Sequence, residues 1–254
     1  MGKIIAVTNQ KGGVGKTTTT VNLSACLAEA GQRVLAVDFD PQGNTTSGLG
    51  HRAGGKSAYE ALVGDADIKD CITATRVKGL DLLPADIRLA GAEVELVNVD
   101  GREYRLREAL NSVASRYDFV LIDCPPSLGL LTVNALAAAG RVLVPIQCEY
   151  FALEGVTSLM NTISRVNRTI NPALDIEGVL LTMLDGRTNL GLQVVDQVKR
   201  RFKNKVYSVT IPRSVRLGEA PSHGLPIHMY DGRSAGAEAY RALAKEVLER
   251  NGVK

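Results

Sequence analysis

The chain of 254 residues contains no apolar stretch approaching the roughly 20 residues that a membrane-spanning helix needs. Its four cysteines, Cys26, Cys71, Cys124 and Cys148, lie far apart and include no Cys-x-x-Cys pair. That spacing argues against a disulfide framework or a cysteine metal site, and for reduced thiols packed as small hydrophobes. No secretory leader precedes the first apolar run, and Met1-Gly2 is followed by Ala6 where a myristoylation signal carries Ser or Thr. No repeat, linker or low-complexity tract is visible. These absences lead us to expect a cytoplasmic protein, and 45% apolar residues suffice for a full core in one α/β domain spanning 1–254.

Strand-like runs alternate with helical stretches: Ile4–Thr8, Val34–Asp38, Leu80–Pro84, Phe119–Asp123, Val142–Gln147, Glu177–Met183 and Val206–Ile211. Several are almost continuously apolar, as in strands buried on both faces. Helical periodicity predicts elements to about Ala30, over Glu149–Ile170, over Leu190–Phe202 and over Ala235–Arg250. The alternation predicts an α/β fold, a mostly parallel twisted sheet flanked by helices on both faces. Gly48–Lys56 reads as an irregular glycine-rich loop.

The most informative segment is Lys11-Gly12-Gly13-Val14-Gly15-Lys16-Thr17-Thr18, between the first strand and the first helix. Glycines 12, 13 and 15 allow successive backbone N–H groups to close on phosphate oxygens, and the helix start adds its dipole. In such a P-loop Lys16 reaches the β- and γ-phosphates and the Thr17 hydroxyl sits on Mg²⁺. The common pattern fails at one place, because Gln10 stands where it has glycine. In Asp38-Phe39-Asp40-Pro41 two carboxylates two residues apart end a strand and point the same way, toward the ligand-binding edge of such sheets. Asp40 is the candidate to orient or activate the attacking water, and Asp38 to support Mg²⁺ and its waters. Asp123 ends another apolar strand beside the P-loop, the Walker B arrangement that holds Mg²⁺. The segment Asp123–Gly129 after it is a candidate γ-phosphate sensor.

Charge is unevenly placed. Residues 187–216 carry net +7 in a chain of net +3, so the remainder sums to about −4. Lys199, Arg200 and Lys203 fall opposite the apolar face of the helix predicted over Leu190–Phe202. Such concentration is expected for a polyanion partner.

The loop variant K-G-G-x-G-K-T resembles the deviant Walker A loop of the ParA/MinD/nitrogenase-iron-protein group. Asn9–Thr18, Asp38–Gly50, Asp123–Gly129, Gln147–Gly155, Leu180–Gly191 and Ile211–Pro226 together resemble ParA partition ATPases in their short chromosomal (Soj) form. The resemblance implies a Mg²⁺-dependent ATPase that forms a homodimer with ATP, binds double-stranded DNA non-specifically, and is released when a ParB-type partner's basic N-terminal segment stimulates hydrolysis. It implies that Lys11 crosses the dimer interface to the partner's nucleotide. Pro212 and Ser214 would line the adenine pocket, and Arg187 and Arg216 would contact DNA. Arg233, Arg241 and Lys245 could extend that surface. The protein would then be cytoplasmic and nucleoid-associated. Because only ten residues precede Lys11, an operator-binding helix-turn-helix arm is not expected.

A MinD-like membrane-associated positioning ATPase is the main alternative, but Ala237–Lys254 mixes glutamates with alanines where an amphipathic membrane helix needs bulky apolar residues. An iron–sulfur carrier on this fold is disfavoured by the cysteine spacing. A P-loop tyrosine kinase is disfavoured because Tyr230 and Tyr240 make no C-terminal tyrosine cluster.

Overall fold

The computed structural model describes residues 2–52, 54–149, 152–184 and 189–253. Among these residues eight strands make one sheet: β1 (Lys3–Val7), β2 (Val34–Asp38), β3 (Thr73–Ala74), β4 (Leu80–Leu83), β5 (Phe119–Asp123), β6 (Arg141–Gln147), β7 (Asp175–Leu184) and β8 (Val206–Pro212). Their order is β3-β4-β2-β5-β1-β6-β7-β8. Every pairing is parallel except that of β3 with β4. The seven predicted runs all form strands. The two-residue β3 escaped prediction because so short a piece has no periodicity to read.

Among the described residues, nine α-helices lie between strands and three follow β8: α1 (Lys16–Glu29), α2 (Asn44–Gly48), α3 (Ala58–Val63), α4 (Ile68–Cys71), α5 (Leu89–Glu95), α6 (Arg105–Asn111), α7 (Leu130–Ala138), α8 (Ala152–Thr169), α9 (Asn189–Phe202), α10 (Val215–Glu219), α11 (Ile227–Tyr230) and α12 (Ala235–Arg250). Local chemistry sets several ends. After α1 the chain turns through Gly31 at φ +87°, a conformation that costs glycine little. Ser57 and Glu60 form a capping box at α3, and the Ser234 hydroxyl accepts from the Ala237 N–H at α12.

Side-chain alternation sorts the strands onto two cores. Ile4, Ala6, Leu35, Val37, Val120 and Ile122 face one, which α3 to α9 cover. Ile5, Val7, Val34, Ala36, Phe119 and Leu121 face the other, covered chiefly by α1 and α12. Both faces of β1, β2 and β5 are therefore sealed from water, which explains their unbroken apolar runs. The stretch read as an irregular loop from Gly48 starts differently. Gly48 is the last residue of α2, Leu49 is buried, and a Cβ on Gly50 would lie 2.8 Å from the Gly224 carbonyl oxygen.

Candidate active site

The carboxyl ends of β1, β2 and β5 converge, with Val7, Asp123 and Asp38 in register across the three strands. The loop after β1 is pinned from several sides. Asn9 Nδ2 donates to the Pro145 carbonyl at 2.7 Å, its Oδ1 accepts from the Lys11 N–H at 3.1 Å, and Thr182 Oγ1 donates to the Val14 carbonyl at 2.8 Å. Gly13 and Gly15 adopt left-handed φ values of +73° and +91°, and a Cβ on Gly12 or Gly13 would point into open space. No side chain caps the start of α1, so its N–H groups face this open cradle.

Lys16 is buried beneath the cradle, its Nζ donating to the Lys11 carbonyl at 3.2 Å. Burial pulls its ammonium below the ordinary lysine value, opposed by the charge of Asp123. Asp38 Oδ2 accepts from both the N–H and the hydroxyl of Thr46 at 2.7 Å, and Asp38 Oδ1 from the Asp40 N–H at 3.3 Å. Asp123 Oδ2 accepts from Thr45 Oγ1 at 2.8 Å, while Oδ1 is buried without a partner. Burial, reinforced at Asp123 by the charge of Asp38, pushes both carboxyls above the usual range. Asp40 lines the phosphate-side cavity, and one of its oxygens accepts from the Gln42 N–H at 3.0 Å.

That cavity encloses about 330 Å³ between Gly12, Gly13, the run Gly15–Thr18, Asp40, Gln42, Asn44, Pro126 and Met183. A second, of about 220 Å³, is lined by Ile211, Pro212, Arg213, Ser214, Leu217 and Tyr240. Gly15, Thr18 and Met183 border both, so the two make one groove running from polar to apolar walls. Pro212 and Ser214 lie in the apolar half, where a base would sit. The partnerless Asp123 Oδ1 and the Thr17 hydroxyl on the groove wall suit Mg²⁺, which keeps several waters and takes few protein ligands. No group of three His, Cys, Asp or Glu residues able to hold a metal occurs among the described residues.

Lys11 takes no part in this cradle through its side chain. Its Nζ sits 3.4 Å from Glu149 Oε2, in a pair with both side chains substantially exposed. Among the predicted polyanion contacts, Arg187 lies outside the described residues. Lys199, Arg200 and Lys203 are exposed on the outer side of α9 and its end, over the first core. Arg216 is on α10, whose Leu217 belongs to the second core, and it pairs with Glu219 at 2.9 Å and Asp231 at 3.5 Å. The basic segment is thus split between the two layers. Arg241 is held by Glu29, and Lys245 faces Glu249.

Sequence reading missed several residues. Thr45 and Thr46 hold the two carboxylates, and their hydroxyls directly after Asp38–Asn44 were a usable signal. Thr182 and Met183 reach the groove only through the pairing of β7. Arg165 and Arg168, exposed near the end of α8, lie on the helix that packs beside α9.

A family model described as an AAA domain matches residues 2–176. The sporulation initiation inhibitor protein Soj of Bacillus subtilis is 62% identical over 97% of this chain and 98% of its own length. The chromosome partitioning protein ParA of Myxococcus xanthus is 54% identical over 99% of this chain and 89% of its own. A Mycobacterium smegmatis structure described as cobyrinic acid a,c-diamide synthase, with bound ADP and magnesium, superposes with a TM-score of 0.88 at 42% identity, over 99% of this chain and 96% of that one. On identity across nearly its whole length, with the cradle and carboxylates in place, the chain belongs to the ParA/Soj family of chromosome-partitioning ATPases.

Proposed function

We propose that this chain, acting as a single ATPase domain, binds ATP with Mg²⁺, pairs with a second copy while the triphosphate is intact, and grips double-stranded DNA non-specifically in that state. The observation that carries the reading is the position of Lys11. Lys16 already serves the cradle from beneath, whereas the Lys11 ammonium is held outside it by Glu149. Exposed pairs of that kind contribute only about 0–1 kcal/mol. A phosphate on a facing copy can therefore draw Lys11 away at little cost. A cation delivered in trans in this way is worth on the order of 10³–10⁵ in rate in comparable enzymes.

The geometry supports a division of labour. The N–H groups of Gly12–Thr18 and the Lys16 ammonium bind the phosphates, while Pro212 and Ser214 border the base. Bound Mg²⁺ would neutralise phosphate charge, held by Thr17 and, through water, by Asp123 and Asp38. Thr45 and Thr46 fix the rotamers of those two carboxylates. Asp40, on the groove wall, orients a water and accepts its proton. The chain from Asp123 to Gly129 leads directly into α7, where the Leu131 N–H donates to Glu93 of α5 at 3.2 Å, a connection by which a change at Asp123 would reach the surface. A ParB-type partner acts there or at the joint face to stimulate turnover and release DNA.

The DNA surface is assigned to Arg165, Arg168, Lys199, Arg200, Arg201 and Lys203, with Arg187 and Arg216 as further contacts. The first six are exposed, and none forms an ion pair with another described residue. Two copies double the charge presented to DNA, so pairing raises affinity by multivalency. The protein would be nucleoid-associated in the cytoplasm. The apolar face of α12 is buried against α1 and β8, which weakens the membrane alternative. No helix among the described residues is long and apolar enough to cross a membrane. The name of the Mycobacterium smegmatis relative invites an amide-forming reading. Nothing in the groove points to a cysteine nucleophile for such chemistry: all four cysteines are buried, and burial raises each thiol.

The test is duplex binding with ADP, ATP and a non-hydrolysable ATP analogue across a salt series. Tight binding is expected only with the triphosphates, weakening steeply as salt rises. Equal binding in all three nucleotide states removes the coupling of nucleotide to DNA.

A further inference from the structure

Met183 stands out in β7. Its φ is +52°, in the left-handed region, and the described residues contain one other non-glycine case, Lys203. The pairing of β7 with β8 explains it. Thr182 is in register with Ile211 and Leu184 with Pro212, so Met183 is an extra residue with no opposite number. This is a β-bulge, and bulges re-aim a side chain that the strict alternation of a strand would send elsewhere. The bulged residue borders both halves of the groove, together with Gly15 and Thr18. Pro212, in register with the next residue Leu184, borders the apolar half beside it.

A bulky side chain held in the left-handed region costs free energy, and such strain persists where surrounding structure imposes it, often at ligand sites. Here the residue before it is fixed twice, by the Thr182 hydroxyl on the Val14 carbonyl and by the Thr182 carbonyl accepting from the Cys148 N–H at 3.2 Å. The same contact that braces the phosphate loop thereby sets where Met183 projects. Its thioether is flexible and polarizable, and favours contact with aromatic rings.

We infer that Met183 is a positioning and specificity residue for the nucleoside part of the ligand, packing its thioether on the purine beside Pro212, while the loop N–H groups and Lys16 carry the phosphate affinity. The inference rests on the proposed nucleotide site and adds the wall that senses the base. Replacing the side chain therefore separates two affinities that a merely structural residue would move together.

The experiment compares wild type, Met183→Gly, Met183→Ala and Met183→Leu by calorimetry with Mg-ADP and with Mg-tripolyphosphate, alongside thermal unfolding without ligand. Both small variants should bind ADP about tenfold more weakly, the loss of one good ring contact. Their tripolyphosphate affinity should stay at the wild-type level, and Met183→Leu should recover most of the ADP affinity. Met183→Gly should unfold at a higher temperature than Met183→Ala, because only glycine adopts the left-handed conformation freely. Unchanged ADP affinity in the small variants overturns the proposal. So do parallel losses of ADP and tripolyphosphate, or alanine proving more stable than glycine. If wild type binds tripolyphosphate but not ADP, the base contact is refuted and the phosphate cradle stands. If it binds neither, the nucleotide reading fails first.

Discussion

Replacing Arg165 and Arg168 together by glutamine probes the basic face at the point where sequence reading did not look. Both guanidiniums are exposed near the end of α8, beside the α9 cluster of Lys199, Arg200, Arg201 and Lys203. None of the six forms an ion pair with another described residue, so each can be transferred to a phosphate without breaking an internal contact. Each phosphate neutralised contributes about −0.9 to the slope of log K against log salt, so six contacts per protomer give a slope of about −5. On that slope, binding weakens about 10³-fold between 50 and 200 mM salt. Removing two cations should bring the slope to about −3.5 per protomer, with a fall of roughly 10² over the same range. Fluorescence anisotropy of a labelled duplex with a non-hydrolysable ATP analogue measures it directly, and both slopes double if the bound species is a dimer. The substitutions touch no buried residue, so the thermal midpoint serves as a control. A double variant with the wild-type slope would show that α8 does not face DNA.

The buried carboxylates predict a pH dependence of stability. Asp38 and Asp123 hold their protons above the ordinary carboxylate range in the folded, ligand-free protein, so the native state binds more protons than the unfolded one above about pH 4. Stability should therefore fall as pH rises from that value through their raised ones, and Asp123→Asn should unfold at a higher temperature than wild type near pH 8 without Mg²⁺. A flat wild-type profile from thermal unfolding between pH 4 and 8 would contradict this. Thr182→Val strips the Val14 carbonyl of its side-chain donor, which should cost about 1–3 kcal/mol in denaturant titration and weaken tripolyphosphate as well as ADP. Lys11→Ala should leave stability within about 1 kcal/mol, since its partner Glu149 is exposed, yet abolish triphosphate-dependent pairing in light scattering.

What the sequence by itself determined was everything carried by local patterns. Unbroken apolar runs marked the strands because burial on both faces demands them. Glycine spacing marked the cradle because only residues without a Cβ turn consecutive N–H groups inward. The ends of β2 and β5 were legible to the residue, since Asp38 and Asp123 break their apolar runs abruptly. The tertiary structure alone decided which distant groups meet. It placed Asp38 and Asp123 in register on neighbouring strands, so that two carboxylates 85 residues apart came to share one buried site. It divided residues 189–216 between two layers, because α9 covers one face of the sheet while the chain past β8 returns over the other. It joined α8 to the basic face by packing, and it bulged β7 at Met183 through pairing with β8. Charge and hydropathy are properties of a segment, whereas register, layer and bulge are properties of its neighbours.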